Sequence, residues 1–354
     1  MAESSILMLK ARDLLATPNH EGLAIVVDKL FMDRETDEYK SANALYDFCV
    51  DKFANLLTLK LLKVYVCSSS NELVRSRSIY LLSETLTLFR SRSYEFSRVS
   101  LYEIKPLLIS CLTMQETREA DIKSLRRVVS FVTYNVMMLD NSGWDELSEC
   151  ILELAINEPL KAFHIFIDLP RVDEKFIYRF MERILEEAEK VLLNPEEDRI
   201  EDWGLALQTI VKMGIQILDS EMKIDLIKNL LCVLVKSASE LVEKGMEEFL
   251  LRGLEDLERF LSRDKNLHNY STAQCNFVSV FMFKIRELGT HTNEAAKKIN
   301  RLIKSDNNPA IKTSPSLIQQ QPQEKQDSVL ERGMAELAKS LTECEVDWMH
   351  TPEA

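Results

Sequence analysis

Apolar residues recur along this chain at the three- and four-residue spacing of amphipathic helices. No segment shows the sustained alternation of apolar and polar residues that a half-buried strand requires, so we predict no strands. The predicted helices come in pairs. The second helix of each pair is predicted to begin, at intervals of 40 to 46 residues, near Glu72, Thr117, Asn157, Glu201, Met246 and Thr292. This period is typical of stacked helix-pair repeats.

The predicted breaks between helices carry turn-forming residues. The run from Ser68 to Asn71 separates two long apolar segments, because its side chains compete with helical hydrogen bonds. Pro159 stands near a predicted helix start, where its missing N–H costs little. The segment from Phe176 to Leu193 has no such break, and we predict one helix there.

A single helix pair cannot cover its own apolar face, so each pair must lean on the next. The predicted fold class is therefore all-α: a right-handed α-solenoid of about six pairs over residues 1–305, with a concave face lined by the second helices. Only 8 glycines occur in 354 residues. This shortage argues against sheet-rich folds and against glycine-loop cofactor sites, which need residues that tolerate positive φ.

The composition changes after residue 305. Residues 306–327 are rich in Gln, Asn, Ser and Pro, and we predict a disordered linker there. Residues 328–354 are predicted to form a short amphipathic helix and an acidic-hydrophobic tail around Trp348. That tail is either a short docking motif, for a partner or for the chain's own groove, or terminal sequence without a function.

The turn-to-helix junctions resemble those of HEAT repeats. Leu73-Val74-Arg75 opens a helix after a polar turn, Leu160-Lys161 repeats the arrangement, and Pro106 occupies the place of a kinking proline. Trp144-Asp145-Glu146-Leu147 before a long apolar helix is similar to units of importin-beta-type transport receptors. From Ser4 to Lys304 the chain resembles a plant family of armadillo-like ARM/HEAT repeat proteins of unknown function. The resemblance implies a solenoid in which Arg75 binds the carboxylate of a neighbouring turn.

The net charge of −13 and the isoelectric point near 5.1 make bulk attraction to nucleic acid unexpected. A local basic patch is nevertheless present in the sequence between residues 75 and 98, where two acids stand against five arginines. The candidate anion-binding residues are Arg75, Arg77, Arg90, Arg92 and Arg98. The alternative is a solvated rim of cations at helix ends.

Other candidate groups each have a structural alternative. The acids from Glu182 to Asp198 form either a ridge for basic peptides or helix-surface ion pairs such as Glu186 with Lys190. Trp144 and Trp203 are either packing anchors or exposed anchors for a peptide. His164, in an apolar helix, is expected to be a semi-buried, hydrogen-bonded residue rather than a base.

The sequence contains no nucleotide-binding, hydrolase or zinc motif, and we expect no cofactor and no enzymatic activity. Seven cysteines are scattered singly, as is usual in a reducing compartment. The amino-terminal segment lacks a signal-peptide core, and no apolar run is long enough to cross a bilayer. We therefore expect a cytoplasmic or nuclear protein that does not insert into membranes.

These observations predict a non-enzymatic scaffold or adaptor that binds a protein or peptide on the concave face of a helical-repeat solenoid. Two alternatives remain at this point. One is a nuclear-transport-receptor-like or trafficking adaptor, on the importin-like segment. The other is the regulatory subunit of an enzyme complex.

Overall fold

The computed structural model describes residues 2–67, 71–91, 94–115, 117–139, 143–196, 199–218, 224–263 and 271–305. These residues form sixteen helices and no strand. The helices are α1 (Ala2–Ala16), α2 (Glu21–Lys29), α3 (Asp37–Lys52), α4 (Ala54–Val66), α5 (Glu72–Ser91), α6 (Arg98–Leu112), α7 (Glu119–Leu139), α8 (Asp145–Asn157), α9 (Pro159–Asp168), α10 (Glu174–Tyr178), α11 (Met181–Leu193), α12 (Ile200–Ile217), α13 (Ile224–Glu243), α14 (Glu247–Arg263), α15 (Thr272–Ile285) and α16 (Thr290–Ser305). The predicted all-helical fold class is confirmed. The linker and tail predicted over 306–354 lie outside the described residues.

The predicted repeat of second helices is present in the structure. Helices α5, α7, α9, α12, α14 and α16 begin at intervals of 40 to 47 residues, each within two residues of the predicted start. Their partners α4, α6, α8, α11, α13 and α15 complete six pairs. The chain divides into two compact units at Phe180 and Met181, which we describe separately.

The single helix predicted from Phe176 to Leu193 is wrong, because the chain breaks between α10 and α11. The break is at Phe180, whose ring is completely buried. It packs edge-on against the rings of Phe166 and Phe176, with centroids 5.8 and 5.6 Å away. The contact with Phe166 joins this break to α9, and the apolar spacing of the segment alone does not show it.

In unit 1, each helix of a pair packs on the corresponding helix of the next pair. Helices α4, α6 and α8 follow one another in one layer, and α5, α7 and α9 do so in a second layer. Helix α2 packs on α5 at the amino-terminal side of the second layer. The core between the layers contains fully buried side chains such as Leu61, Leu82, Ile104 and Val132.

Unit 2 repeats the two-layer arrangement. Helices α11, α13 and α15 form one layer, and α12, α14 and α16 form the other. Two glycines allow close packing here. A Cβ on Gly214 would lie 2.4 Å from the ring of Phe277, and a Cβ on Gly253 would lie 2.4 Å from the ring of Trp203. Both positions therefore exclude any larger residue unless the aromatic ring moves.

Local sequence explains where several helices begin. The side chains of Thr36, Ser97 and Asp173 each accept a hydrogen bond from the backbone N–H three residues later, which satisfies a donor left open at a helix start. Ser271 and Gln274 form a reciprocal capping box at the start of α15. Pro159 occupies the first turn of α9, as predicted.

Burial also controls the chemistry of three cysteines in unit 1. Cys49, Cys111 and Cys150 are buried free thiols. Desolvation raises the pKa of Cys49 and of Cys111 to about 12, and that of Cys150 to about 11. Within the described part of the chain, no helix is long and apolar enough to cross a membrane.

Candidate protein-interaction surface

One face of α5 carries large apolar side chains in solvent. Leu73, Tyr80, Glu84 and Leu88 are spaced by seven, four and four residues, which places them in one line along the helix. Tyr80 is 47% exposed and Leu88 is 52% exposed. The opposite face of α5 supplies the core through Ile79, Leu82 and other buried residues.

Helix α7 has a matching exposed line. Lys123, Arg127, Tyr134 and Met138 are spaced by four, seven and four residues and are all exposed. Tyr134 is 48% exposed and Met138 is 60% exposed. The first half of this line is therefore cationic and the second half is apolar.

The two lines are adjacent because α5 packs against α7. An ion pair joins them, with Arg127 Nη1 3.1 Å from Glu84 Oε1. Both side chains are about half exposed, so the pair contributes little to stability, about 0–1 kcal/mol. We call these two lines together (Leu73, Tyr80, Glu84 and Leu88 with Lys123, Arg127, Tyr134 and Met138) the α5–α7 surface.

The α5–α7 surface continues onto the end of α2 through aromatic contacts. The rings of Tyr80 and Phe31 meet edge-on with centroids 6.1 Å apart. The guanidinium of Arg77 lies 4.8 Å from the centre of the Phe31 ring and forms an ion pair with Asp28. These contacts fix the half-exposed aromatic rings in place.

The structure places two of the five predicted arginines in internal contacts. Arg75 is half-buried, with Nε 2.9 Å from the Tyr65 carbonyl and Nη2 3.8 Å from Met114 Sδ. The turn carboxylate that the HEAT resemblance implied for Arg75 is absent from its partners among the described residues. Arg77 is neutralised by Asp28. Arg75 thereby joins α5 to α4 and to the residues after α6, and Arg77 joins α5 to α2.

Arg90 and Arg98 differ, because both are exposed and both bind neutral acceptors. Arg90 donates from Nη2 to Ser130 Oγ at 3.1 Å, and Arg98 donates from Nη2 to the Leu139 carbonyl at 3.3 Å. Arg92 lies outside the described residues. The structure thus separates the predicted patch into a pair of structural arginines and a pair of exposed ones.

The exposed-anchor interpretation of the tryptophans is wrong. Trp144 and Trp203 are each 1% exposed and are packing residues. Lys105 Nζ lies 5.7 Å from the Trp144 ring. Trp203 Nε1 donates to Ser237 Oγ at 3.1 Å.

The acids of α11 are paired locally. Arg183 binds Glu186 and Glu187 at 3.2 and 2.7 Å, and Lys190 binds Glu187 at 2.8 Å rather than the predicted Glu186. Arg199 likewise binds Glu196. Three of the five described acids in this run are therefore paired with neighbouring cations. Residues 197–198 lie outside the described residues.

His164 is hydrogen-bonded and mostly buried, as predicted. Its Nδ1 lies 3.3 Å from Arg126 Nη1, and Arg126 Nε lies 3.0 Å from Asp168 Oδ2. Burial, followed by the positive charge of Arg126, lowers the pKa of His164 to about 4. The ring is thus neutral near pH 7 and accepts the hydrogen bond.

The sequence analysis did not predict the exposed apolar residues of the α5–α7 surface. A signal was available. On a helical projection Tyr80 and Leu88 share a face with Arg77 and Glu84, and apolar residues within a polar stripe mark an exposed apolar area. Among the described residues no group of three His, Cys, Asp or Glu is arranged to hold a metal ion.

Comparison with known families identifies a repeat. Residues 101–271, from within the first turn of α6 to the residue before α15, match a family described as a repeat of unknown function, DUF577. The chain resembles this family over that stretch. The chain is a helical repeat protein. No curated protein and no solved structure matches the chain.

Proposed function

We propose that this chain is a non-enzymatic scaffold that binds a protein partner on the α5–α7 surface. The helix pairs within each unit are, in this proposal, short right-handed stacks of the ARM/HEAT kind. Such stacks expose one layer of helices as a binding surface and have no natural cleft for catalysis.

The observation that supports a protein partner is the composition of the α5–α7 surface. Tyr80, Leu88, Tyr134 and Met138 expose about half of their side chains on two adjacent helices. Exposed apolar groups gathered on one face and interleaved with charges are typical of protein interaction sites. Tyr, Met and Arg are also the residues enriched in such interfaces.

Unit 2 offers a comparison within the same chain. In its described residues, Phe283 on α15 is the large apolar side chain that is mostly exposed. The exposed charges of α14 pair along the helix instead, as Arg252 and Arg259 do with Asp256. A solvated helix surface of this kind supports no partner, so we assign the binding role to unit 1.

Proximity labelling in the native cell tests the proposal. The double variant Tyr134→Gln with Met138→Gln removes two exposed apolar groups and keeps good helix formers at both positions. We expect the full-length variant to lose most of the proteins that the unchanged chain labels. Its helical circular dichroism and melting temperature should match those of the unchanged chain, because neither side chain belongs to the core.

The matched control is Phe283→Gln, which removes an equally exposed aromatic ring from unit 2. We expect this variant to label the same proteins as the unchanged chain. If the double variant also labels that same set, the α5–α7 surface is not the binding site.

A further inference from the structure

We infer that one end of the α5–α7 surface binds a protein segment that carries carboxylates beside large apolar side chains. This inference rests on the proposed function and names the chemistry of the partner. The site comprises Tyr134 and Met138 of that surface together with the neighbouring Arg90 and Arg98, and we call it the arginine end of the surface.

The connection between α5 and α6 brings these residues together. The backbone N–H of Phe96 donates to Asn135 Oδ1 at 2.9 Å, and the Phe96 ring packs on Phe131 with centroids 5.6 Å apart. Phe96 is thereby held against the carboxyl-terminal half of α7. Arg90, before the connection, and Arg98, after it, consequently both reach α7 between Ser130 and Leu139.

The two guanidinium groups are not neutralised by the described residues. Each donates one hydrogen bond to a neutral acceptor, and its other N–H groups have no acceptor in the described part of the chain. Arg77 and Arg127, by contrast, are paired with carboxylates. Glu95, the exposed acid in the same connection, forms no ion pair with either arginine.

The position of Arg98 adds a second argument. Arg98 is the first residue of α6, where a positive charge opposes the helix dipole and costs stability. Its bond to the Leu139 carbonyl satisfies one acceptor at the end of α7, but uses only one of its five donors. A carboxylate from outside can bind such a guanidinium through two parallel, charge-assisted hydrogen bonds.

Apolar groups lie next to both arginines. Tyr134 is one helical turn after Ser130, the residue that Arg90 contacts. Met138 precedes Leu139, which Arg98 contacts. A partner that used only its charges would leave these exposed side chains in water. The complementary ligand is therefore an acidic segment with apolar anchors.

A peptide is favoured over a nucleic acid. The chain carries a net charge of −13, which repels a polyanion over distances beyond direct contact. Two exposed arginines match one or two carboxylates better than the run of phosphates that a nucleic acid presents.

Selection from a random 12-residue peptide library displayed on phage, with the full-length protein as bait, tests this inference. We expect enrichment of peptides that combine Asp or Glu with Leu, Phe or Trp. For a synthetic enriched peptide, we expect Arg90→Gln with Arg98→Gln to raise the Kd at least tenfold by fluorescence anisotropy. Arg90→Lys with Arg98→Lys should bind more tightly than the Gln pair, because the charge is retained.

The control is Arg263→Gln. Arg263 is an exposed arginine in the last turn of α14 that donates to the Arg259 carbonyl, so it matches the chemistry of Arg90 and Arg98 in unit 2. We expect its Kd for the peptide to equal that of the unchanged chain. An unchanged melting temperature of each variant establishes that binding, not folding, is affected.

Three results overturn the inference: enriched peptides without acidic residues, equal binding by the Gln and Lys pairs, or displacement of the peptide by a single-stranded RNA 20-mer whose own binding requires Arg90 and Arg98. The variant Arg90→Gln with Arg98→Gln could keep its cellular partners while the variant Tyr134→Gln with Met138→Gln loses them. In that case the proposed function stands and this inference fails.

Discussion

The indole ring of Trp203 on α12 occupies the space that a side chain at Gly253 on α14 would need. A Cβ at position 253 would lie 2.4 Å from the ring, which is well inside contact distance. The ring is buried and held by its hydrogen bond to Ser237, so it has little room to move.

Gly253→Ala should therefore destabilise unit 2 by about 1–3 kcal/mol, in spite of the better helix propensity of Ala. Urea unfolding followed by circular dichroism measures the change. Gly204→Ala is the control, because the nearest atoms to its Cβ would be at an ordinary 3.6 and 3.7 Å, and the better helix propensity of Ala should leave the protein at least as stable as the unchanged chain. Equal stability of both variants would show that the Trp203 ring can move to another position at little cost in free energy.

Replacing Leu82, which is completely buried on α5, with Asp should cost about 4 kcal/mol or more. A carboxyl group there has no water and no partner. Hydrogen exchange should rise first in α4 to α7, the helices packed around that site, and later in unit 2. Leu88→Asp on the exposed side of the same helix should change stability by about 0.5 kcal/mol at most. Simultaneous opening of both units would contradict modular behaviour.

We expect the protein to lose stability in acid because His164 is mostly buried. Its pKa is about 4 in the folded chain, because of burial and then of Arg126, and about 6.5 when unfolded. The unfolded chain thus binds the proton more readily than the folded chain. The contribution of neutral His164 to the free energy of unfolding is therefore complete above pH 6.5 and is lost as the pH falls to 4. The expected loss is about 2–3 kcal/mol.

Denaturant unfolding between pH 7 and 4.5 measures this loss. His164→Asn keeps an acceptor for Arg126 and cannot be protonated, so its stability should fall less steeply with acid. His291→Asn, at an exposed histidine, serves as the control and should retain the full slope. Parallel slopes for all three proteins would assign the acid sensitivity to other groups.

Ser237 joins three helices through one hydroxyl. Its Oγ donates to the Leu192 carbonyl at 2.6 Å and accepts from Trp203 Nε1 at 3.1 Å. Ser237→Ala should destabilise the protein by about 1–2 kcal/mol, because buried polar groups lose a partner. Ser262→Ala, which removes an exposed hydroxyl bonded to its own helix, should be neutral in the same thermal melt. Trp203 Nε1 also lies 3.3 Å from the Leu192 carbonyl. Equal melting temperatures would mean that this one acceptor is enough for the indole N–H.

The sequence predicted the helices well because their signal is local. Apolar spacing and turn residues such as Ser68 and Pro159 depend on neighbours within a few positions. The break at Phe180 was not predictable in this way, because no turn residue marks it and the Phe180 ring contacts Phe166 of another helix.

The candidate site was only partly predictable for the same reason. A run of arginines is visible in the sequence, but the carboxylate that neutralises Arg77 lies 49 residues away at Asp28. The Leu139 carbonyl that holds Arg98 is 41 residues away. Which cations stay exposed is decided by packing between repeats, and no local pattern reports it.

Because burial raises the pKa values of three thiols in unit 1, their reactivity reports when the helices around them open. Alkylating reagents react with the thiolate, so Cys49, Cys111 and Cys150 should be modified only when the surrounding helices open. They are carried by α3, α6 and α8 respectively. Mass spectrometry after timed exposure to iodoacetamide would then report the order in which these three helices of unit 1 open, with no residue substituted.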